Sequence, residues 1–136
     1  MYPESIVSPM KSDLTSAGFE ECVSPAAVND ALSNKGTVLM VVNSVCGCAA
    51  GACRPGVKMS LQNSKVPSKL TTVFAGFDID AVAEARKHFA PYPPSSPAIA
   101  LFKDGQLVHF VERHNIEGRN AQMIAEHLKM VYDEFC

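Results

Sequence analysis

Unbroken apolar runs alternate along the chain with stretches in which apolar residues recur at helical spacing. Thr37 to Val42 has no charged or strongly polar interruption, which predicts a central strand buried on both faces. Leu70 to Ala75 is a second β-branched and aromatic run, ended by Gly76. Ala98 to Phe102 and Leu107 to Val111 flank Lys103-Asp104-Gly105-Gln106, whose Asp-Gly step predicts an antiparallel hairpin.

Helical spacing fills the intervals. Val7, Met10, Leu14 and Ala17 predict a helix over Ser8–Gly18, with Ser8-Pro9 as its start and Gly18 as its stop. The short segment Phe19–Val23 leads to Ser24-Pro25, an N-cap and first-turn pair, and a helix to Asn34 closed by Lys35-Gly36. Asp78 is the expected cap of a helix reaching Phe89, with Ile79, Val82, Ala83 and Phe89 inward. Asn120 is the expected cap of a last amphipathic helix, with Met123, Ile124, Leu128, Val131 and Phe135 on its apolar side. Strand, helix, strand, helix calls for a parallel pair joined by a right-handed crossover.

The chemistry sits where the first of these strands ends. Asn43 and Ser44 break the run with side chains that favour turns and N-caps, and Cys46-Gly47-Cys48 opens a helix expected to reach Gln62, kinked or ended midway by Arg54-Pro55. Unpartnered N–H groups at a helix start favour an anion, so a thiol placed there titrates below its ordinary ~8.5. Cys46 is the expected attacking thiol. A disulfide enclosing one residue makes a tight, easily reduced ring, so Cys48 suits resolution better than permanent stapling. Gly47 leaves room for a substrate sulfur or another backbone. Cys53 lies two helical turns beyond Cys46, roughly 10 Å along the axis, too far for a bridge, and reads as a packing residue.

Bulk properties narrow the classes. A length of 136 residues fits one domain with a proper core, and a net charge of −2 leaves no footprint for nucleic acid or an anionic membrane. No apolar run approaches the ~18 to 20 residues of a membrane span, and the Met1-Tyr2-Pro3-Glu4-Ser5 start does not resemble a signal peptide. A cytoplasmic chain is expected. There, five cysteines (Cys22, Cys46, Cys48, Cys53, Cys136) read as catalytic, metal-binding or incidental rather than as a disulfide framework.

A dithiol after a central strand, a later proline, Pro97, opening another strand, a hairpin and a closing helix together resemble the thioredoxin fold, in which the corresponding proline is cis and packs beside the nucleophilic cysteine. The strings Val41-Val42-Asn43-Ser44-Val45-Cys46-Gly47-Cys48-Ala49-Ala50-Gly51, Arg54-Pro55, Thr72-Val73-Phe74-Ala75-Gly76, Pro94-Ser95-Ser96-Pro97, His109-Phe110, Arg113-His114 and Ile116-Glu117-Gly118, with Cys136, are similar to the bacilliredoxin family over nearly the whole chain. The resemblance implies an α/β, thioredoxin-like domain over residues 1–136: a central mixed sheet flanked by helices, with an extra N-terminal helical segment.

It also implies a thiol–disulfide oxidoreductase that removes bacillithiol from mixed disulfides on cytosolic proteins. Cys46 would take over the bacillithiol; free bacillithiol or Cys48 would resolve the adduct. Gly47, Ser96 and Pro97 would meet substrate; Cys136 reads either as an accessory thiol, resolving Cys46 or linking two chains, or as a frayed terminal residue. Bacillithiol enters as co-substrate with no bound cofactor, on a monomer or weak homodimer, with weak disulfide reductase or isomerase activity as a side capability. Cys22 and Cys53 fall outside the family pattern.

Two other classes compete. A metal or iron–sulfur module would use Cys46 and Cys48 with Cys53, His109, His114 or Cys136, but only one close cysteine pair exists where such sites usually need paired ligands. A non-catalytic interaction domain would not need the dithiol. Arg54 reads as a solvated helix arginine and His114 as a surface-loop histidine.

Overall fold

The computed structural model describes residues 1–136. Helix α1 (Glu4–Thr15) leads to a two-residue strand β1 (Glu20–Glu21), helix α2 (Pro25–Leu32) and strand β2 (Thr37–Asn43). A π-helical turn over Ala49–Cys53 runs directly into α3 (Arg54–Ser60), followed by β3 (Lys69–Phe74), α4 (Ile79–Lys87), β4 (Ala98–Lys103), β5 (Gln106–Val111), the single turn α5 (Arg113–Ile116) and α6 (Ala121–Phe135).

The five strands form one mixed sheet in the order β1-β3-β2-β4-β5, parallel on the β1, β3 and β2 side and antiparallel from β2 to β4 to β5. Every residue of β2 is buried, as its unbroken run requires for the middle strand. Its side chains alternate between two cores. Val38, Met40 and Val42 join Val28, Val82, Ala85, Phe89, Phe102 and Phe110 under α2 and α4. Leu39 and Val41 join Leu14, Val57, Ile99, Ile124, Leu128 and Tyr132 under α1, α3 and α6. A register shift by one residue would exchange the two sets. Pairing β2 with β3 also employs hydroxyls: Thr71 Oγ1 and Thr72 Oγ1 donate to the Leu39 and Val41 carbonyls at 2.8 Å each.

Most punctuation read from the sequence recurs. Ser24 caps α2 through the Ala27 N–H at 3.1 Å, and Asn120 caps α6 through the Met123 N–H at 2.9 Å. Asp104 and Gly105 turn the hairpin at φ 51° and 82°, both left-handed, as a tight two-residue turn demands. Pro55 divides the cysteine-bearing helix: the π turn ends at Cys53, the Arg54 N–H reaches back to the Ala49 carbonyl, and α3 proceeds from there.

Four expectations are corrected. Helix α1 starts at Glu4 rather than Ser8 and carries Pro9 inside it; Glu4 in the first turn suits the helix dipole, and burial of Val7 and Leu14 outweighs the one bond Pro9 cannot donate. Asp78 precedes α4 without a side-chain cap, because its carboxylate pairs with Lys11 at 2.7 Å. Ile79, Ala83 and Met123 are exposed, and Ala81 and Ala85, and Ala125 and Tyr132, take the inward positions of α4 and α6 instead. Glu112 to Gly118 contains the helical turn α5, closed by a reciprocal capping box between Glu112 and Asn115.

Gly56 sets the approach of α3 to α6. A Cβ there would stand 2.7 Å from Ile124 Cβ, closer than carbon atoms tolerate, so the helices meet at this height only without a side chain. Beyond it the Tyr132 hydroxyl meets Ser60 Oγ at 2.9 Å in a fully buried contact.

Candidate active site

Three elements deliver the site: the β2 end, the following turn, and the loop that precedes β4. Asn43 closes β2 with its side chain turned beneath the turn, where Nδ2 donates to the Met10 carbonyl at 3.0 Å and Oδ1 accepts the Ser44 N–H at 2.9 Å. Ser44 Oγ accepts the Cys46 N–H at 3.2 Å. The Cys46 carbonyl then accepts the Ala49 and Ala50 N–H groups at 2.9 and 3.2 Å, which makes Cys46 the capping residue of the helical turn that begins at Gly47.

Its side chain caps as well. Cys46 Sγ accepts the Cys48 N–H at 3.4 Å, the bond an N-cap oxygen would take, and lies 2.7 Å from Cys48 Sγ. The Cys48 thiol above all holds the Cys46 thiol below its ordinary value; burial, the next largest influence, opposes it, and the Cys48 N–H, the Arg113 guanidinium and the Ala49 N–H add to the lowering. Burial, and then the neighbouring Cys46 sulfur, push the Cys48 thiol up. The pair is thus biased so that losing a proton is easier at Cys46 than at Cys48.

Arg54 is buried, contrary to its reading as a solvated helix arginine. Nη1 donates to Asn43 Oδ1 at 3.0 Å and to the Ser44 carbonyl at 2.9 Å, and Nε donates to Asp13 Oδ2 at 3.2 Å. A planar fork with several donors is the side chain that can tie a strand end, a loop carbonyl and a carboxylate together. The signal was present: Arg54 stands three residues before buried Val57, on the same face of the helix.

Opposite Cys46 lies the proline loop. The Ser96-Pro97 bond is cis, as is Ala90-Pro91, and Pro97 is buried. Tyr92 stacks on Phe110 with ring centroids 4.7 Å apart. Arg86 Nη1 donates to the Ser95 carbonyl at 3.1 Å and Arg113 Nη1 to the Ser96 carbonyl at 3.2 Å. Cys46, Ser96, Arg86 and Arg113 line one open cavity of about 430 Å³, with Tyr2, Ser44, Val45, Ala75 and Gly76 completing the wall. Tyr2 fits there because Gly76 presents no Cβ; one would fall 2.5 Å from the ring.

Gly47 is exposed, and an added Cβ would meet nothing within 4 Å, so the space above it is free for a partner. Cys22 and Cys53 are buried, and burial pushes their thiols up to about 11 and about 12. Cys136 is exposed at the end of α6, beside the stretch where Asp133 meets Asn63 at 2.9 Å. That stretch lies past the far end of α3, about 20 Å of helix rise from Cys46. His114 is exposed on α5, and His109 pairs with His127, not with the cysteines. No group of three or more His, Cys, Asp or Glu is arranged to hold a metal ion, so the donors named for a metal module are not gathered.

Residues 2–136 match the family model described as disulphide isomerase. A bacilliredoxin of Cytophaga hutchinsonii is 64% identical over 134 residues, which cover 98% of this chain and 99% of that one. The chain belongs to the bacilliredoxin family. A bacilliredoxin of Halalkalibacterium halodurans is 47% identical, over 99% of this chain and 94% of its own. Among solved structures, oxidized mitochondrial thioredoxin 3 of Saccharomyces cerevisiae aligns with a TM-score of 0.59 at 13% identity, over 90% of this chain and 99% of that one, which shows the thioredoxin-like fold. This bacilliredoxin is therefore a thiol–disulfide oxidoreductase on a thioredoxin-like α/β fold.

Proposed function

We propose that this protein removes bacillithiol from mixed disulfides on other proteins, with Cys46 as the attacking thiol. The observation that carries the reading is the contact of the two sulfurs, 2.7 Å apart, with Cys46 held below and Cys48 above the ordinary thiol value. Thiolate attacks and thiol waits.

In the first step Cys46 S⁻ attacks the bacillithiol sulfur of the mixed disulfide. A new S–S bond joins Cys46 to bacillithiol as the old one breaks, and the protein cysteine leaves as thiolate and takes a proton from water. In the second step either a free bacillithiol thiolate attacks, or Cys48 gives its proton to water and attacks as thiolate. The former releases bacillithiol disulfide and returns Cys46 to thiolate; the latter releases bacillithiol and leaves a Cys46–Cys48 disulfide. Two electrons from two further bacillithiol thiols, released as their disulfide, reopen that ring. The exposed face of Gly47 receives the protein partner, and Ser96 and cis Pro97 form the opposite lip. Weak reduction or isomerisation of ordinary disulfides follows from the same steps with a different leaving thiol.

The test is release of the small thiol from one carrier protein charged in parallel with bacillithiol and with glutathione. Faster release of bacillithiol by the wild type supports the reading. Equal or faster release of glutathione overturns the choice of thiol and leaves the oxidoreductase chemistry standing.

A further inference from the structure

Arg86 is a half-buried cation without an anion. Its guanidinium makes one hydrogen bond, to the Ser95 carbonyl, and no ion pair, and burial pushes it down from its ordinary value. Of the nine residues around the cavity before Cys46, none is an acid and two are arginines, Arg86 from α4 and Arg113 from α5. The two hold consecutive carbonyls, Ser95 and Ser96, so they flank the peptide that leads into cis Pro97. Arg113 is partly neutralised by Glu117 at 2.6 Å; Arg86 keeps donors free.

An unpaired guanidinium is costly to bury and fits the planar, bidentate geometry of a carboxylate. A cavity of about 430 Å³ falls within the ~300 to 1,000 Å³ usual for small-molecule sites. It is walled by Tyr2, Ala75 and Gly76 and suits the small half of a mixed disulfide, whereas the open side at Gly47 suits the protein half.

We propose that Arg86, with Arg113 beside it, forms a subsite for a carboxylate on the small thiol, so that the enzyme selects carboxylate-bearing thiols over neutral and cationic ones. This rests on the reading of Cys46 as the thiol that takes over a small thiol, and it adds the charge that thiol must bear. Because the carboxylate is held while Cys46 S⁻ attacks the sulfur of the same molecule, the subsite also orients the disulfide for exchange.

The experiment uses a carrier protein with one exposed cysteine, charged in turn with mercaptosuccinate (two carboxylates), mercaptopropionate (one), mercaptoethanol (none) and cysteamine (an amine). Release is followed with wild type, Arg86→Gln, Arg113→Gln and Lys87→Gln, the last removing an exposed neighbouring charge that pairs with Glu84. Wild type is expected to prefer the carboxylates in order of charge, and Arg86→Gln to lower the mercaptosuccinate-to-mercaptoethanol ratio of kcat/KM by about 10- to 100-fold, the range of one charge-assisted hydrogen bond. Lys87→Gln is expected to leave that ratio in place. An unchanged ratio in Arg86→Gln, or an equal fall of all four rates, would overturn the subsite, the latter assigning Arg86 to holding the loop alone.

A second arm does not depend on the carrier reaction. Reduced protein is mixed with dithiobis(nitrobenzoate), a dianionic disulfide, or dithiodipyridine, a neutral one; Cys46 S⁻ displaces one aryl thiolate and keeps the other as a mixed disulfide. If Arg86→Gln lowers the dianion-to-neutral rate ratio while no charged carrier is turned over, the subsite stands and the transfer reading falls. If carriers are turned over without charge preference and that ratio is unmoved, the transfer reading stands and the subsite falls.

Discussion

Cys46 Sγ takes the backbone N–H of Cys48 at 3.4 Å, in the place of an N-cap oxygen, while the Cys48 sulfur lies 2.7 Å from it. One residue thus supplies both the backbone donor and the thiol donor that favour the Cys46 thiolate. Removing the thiol removes the larger influence. In Cys48→Ala the Cys46 thiol is expected to titrate higher than in wild type, and its alkylation by iodoacetamide at pH 7 to slow several-fold. Cys48→Ser, which keeps a donor, is expected to fall between. Alkylation rate against pH, read by mass at Cys46, checks the order.

The clamp made by Arg54 is structural as well as electrostatic. Arg54→Ala strips Asn43 Oδ1, the Ser44 carbonyl and Asp13 of their shared partner, which is expected to cost about 2 to 4 kcal/mol, on the order of 10 °C in Tm. Arg54→Lys can reach one partner at a time and is expected to recover about half of that loss. Asp13→Asn is expected to cost less than about 1 kcal/mol, since the carboxylate is more than one-third exposed. Thermal unfolding of the three variants checks the ranking.

Burial sorts four of the five cysteines. Native alkylation is expected to label Cys46 first and exposed Cys136 next. Cys22 and Cys53 stay unlabelled until unfolding, because they are buried and their thiols are pushed up to about 11 and about 12. Peptide mapping after timed labelling reads the sequence of events.

Away from the dithiol, His109 on β5 and His127 on α6 share an Nε2 contact of 2.8 Å. Burial holds both below the ordinary imidazole value, with His127 adding to the effect on His109 and Arg119 to that on His127, while Glu134 opposes it on His109. The folded values lie below the unfolded ~6.5, so between them the unfolded chain binds more protons and stability rises with pH. Tm is expected to be level above pH 7 and to fall as pH drops from 6.5 towards 5. His127→Gln is expected to flatten that fall; an equally steep fall would place its origin elsewhere.

What could be read in the sequence was whatever depends on near neighbours. The unbroken run ending at Val42 requires burial on both sides, Asp104-Gly105 has one cheap backbone solution, and Ser24 and Asn120 cap with their own side chains. The Cys46-Gly47-Cys48 string pointed to thiol chemistry because it directly follows a strand end and two turn-favouring residues. What escaped depends on contacts between distant segments. Arg54 looks solvated until Asn43 and Asp13, 11 and 41 residues away, are brought to it. Arg86 and Arg113 stand on separate elements and converge only because β4 pairs beside β2 and draws the proline loop over the dithiol. Turn α5, which orients Arg113, is closed by Glu112, a residue that rarely announces a helix start.

The most direct measurement is the intact mass of Cys46→Ala and Cys48→Ala proteins after incubation with a bacillithiol-charged carrier. The expected result is a bacillithiol adduct on Cys46 of the Cys48→Ala protein, and no adduct together with an unreleased carrier for Cys46→Ala. An adduct on Cys48 of the Cys46→Ala protein, formed as fast as the other, would contradict the assignment of Cys46 as the attacking thiol.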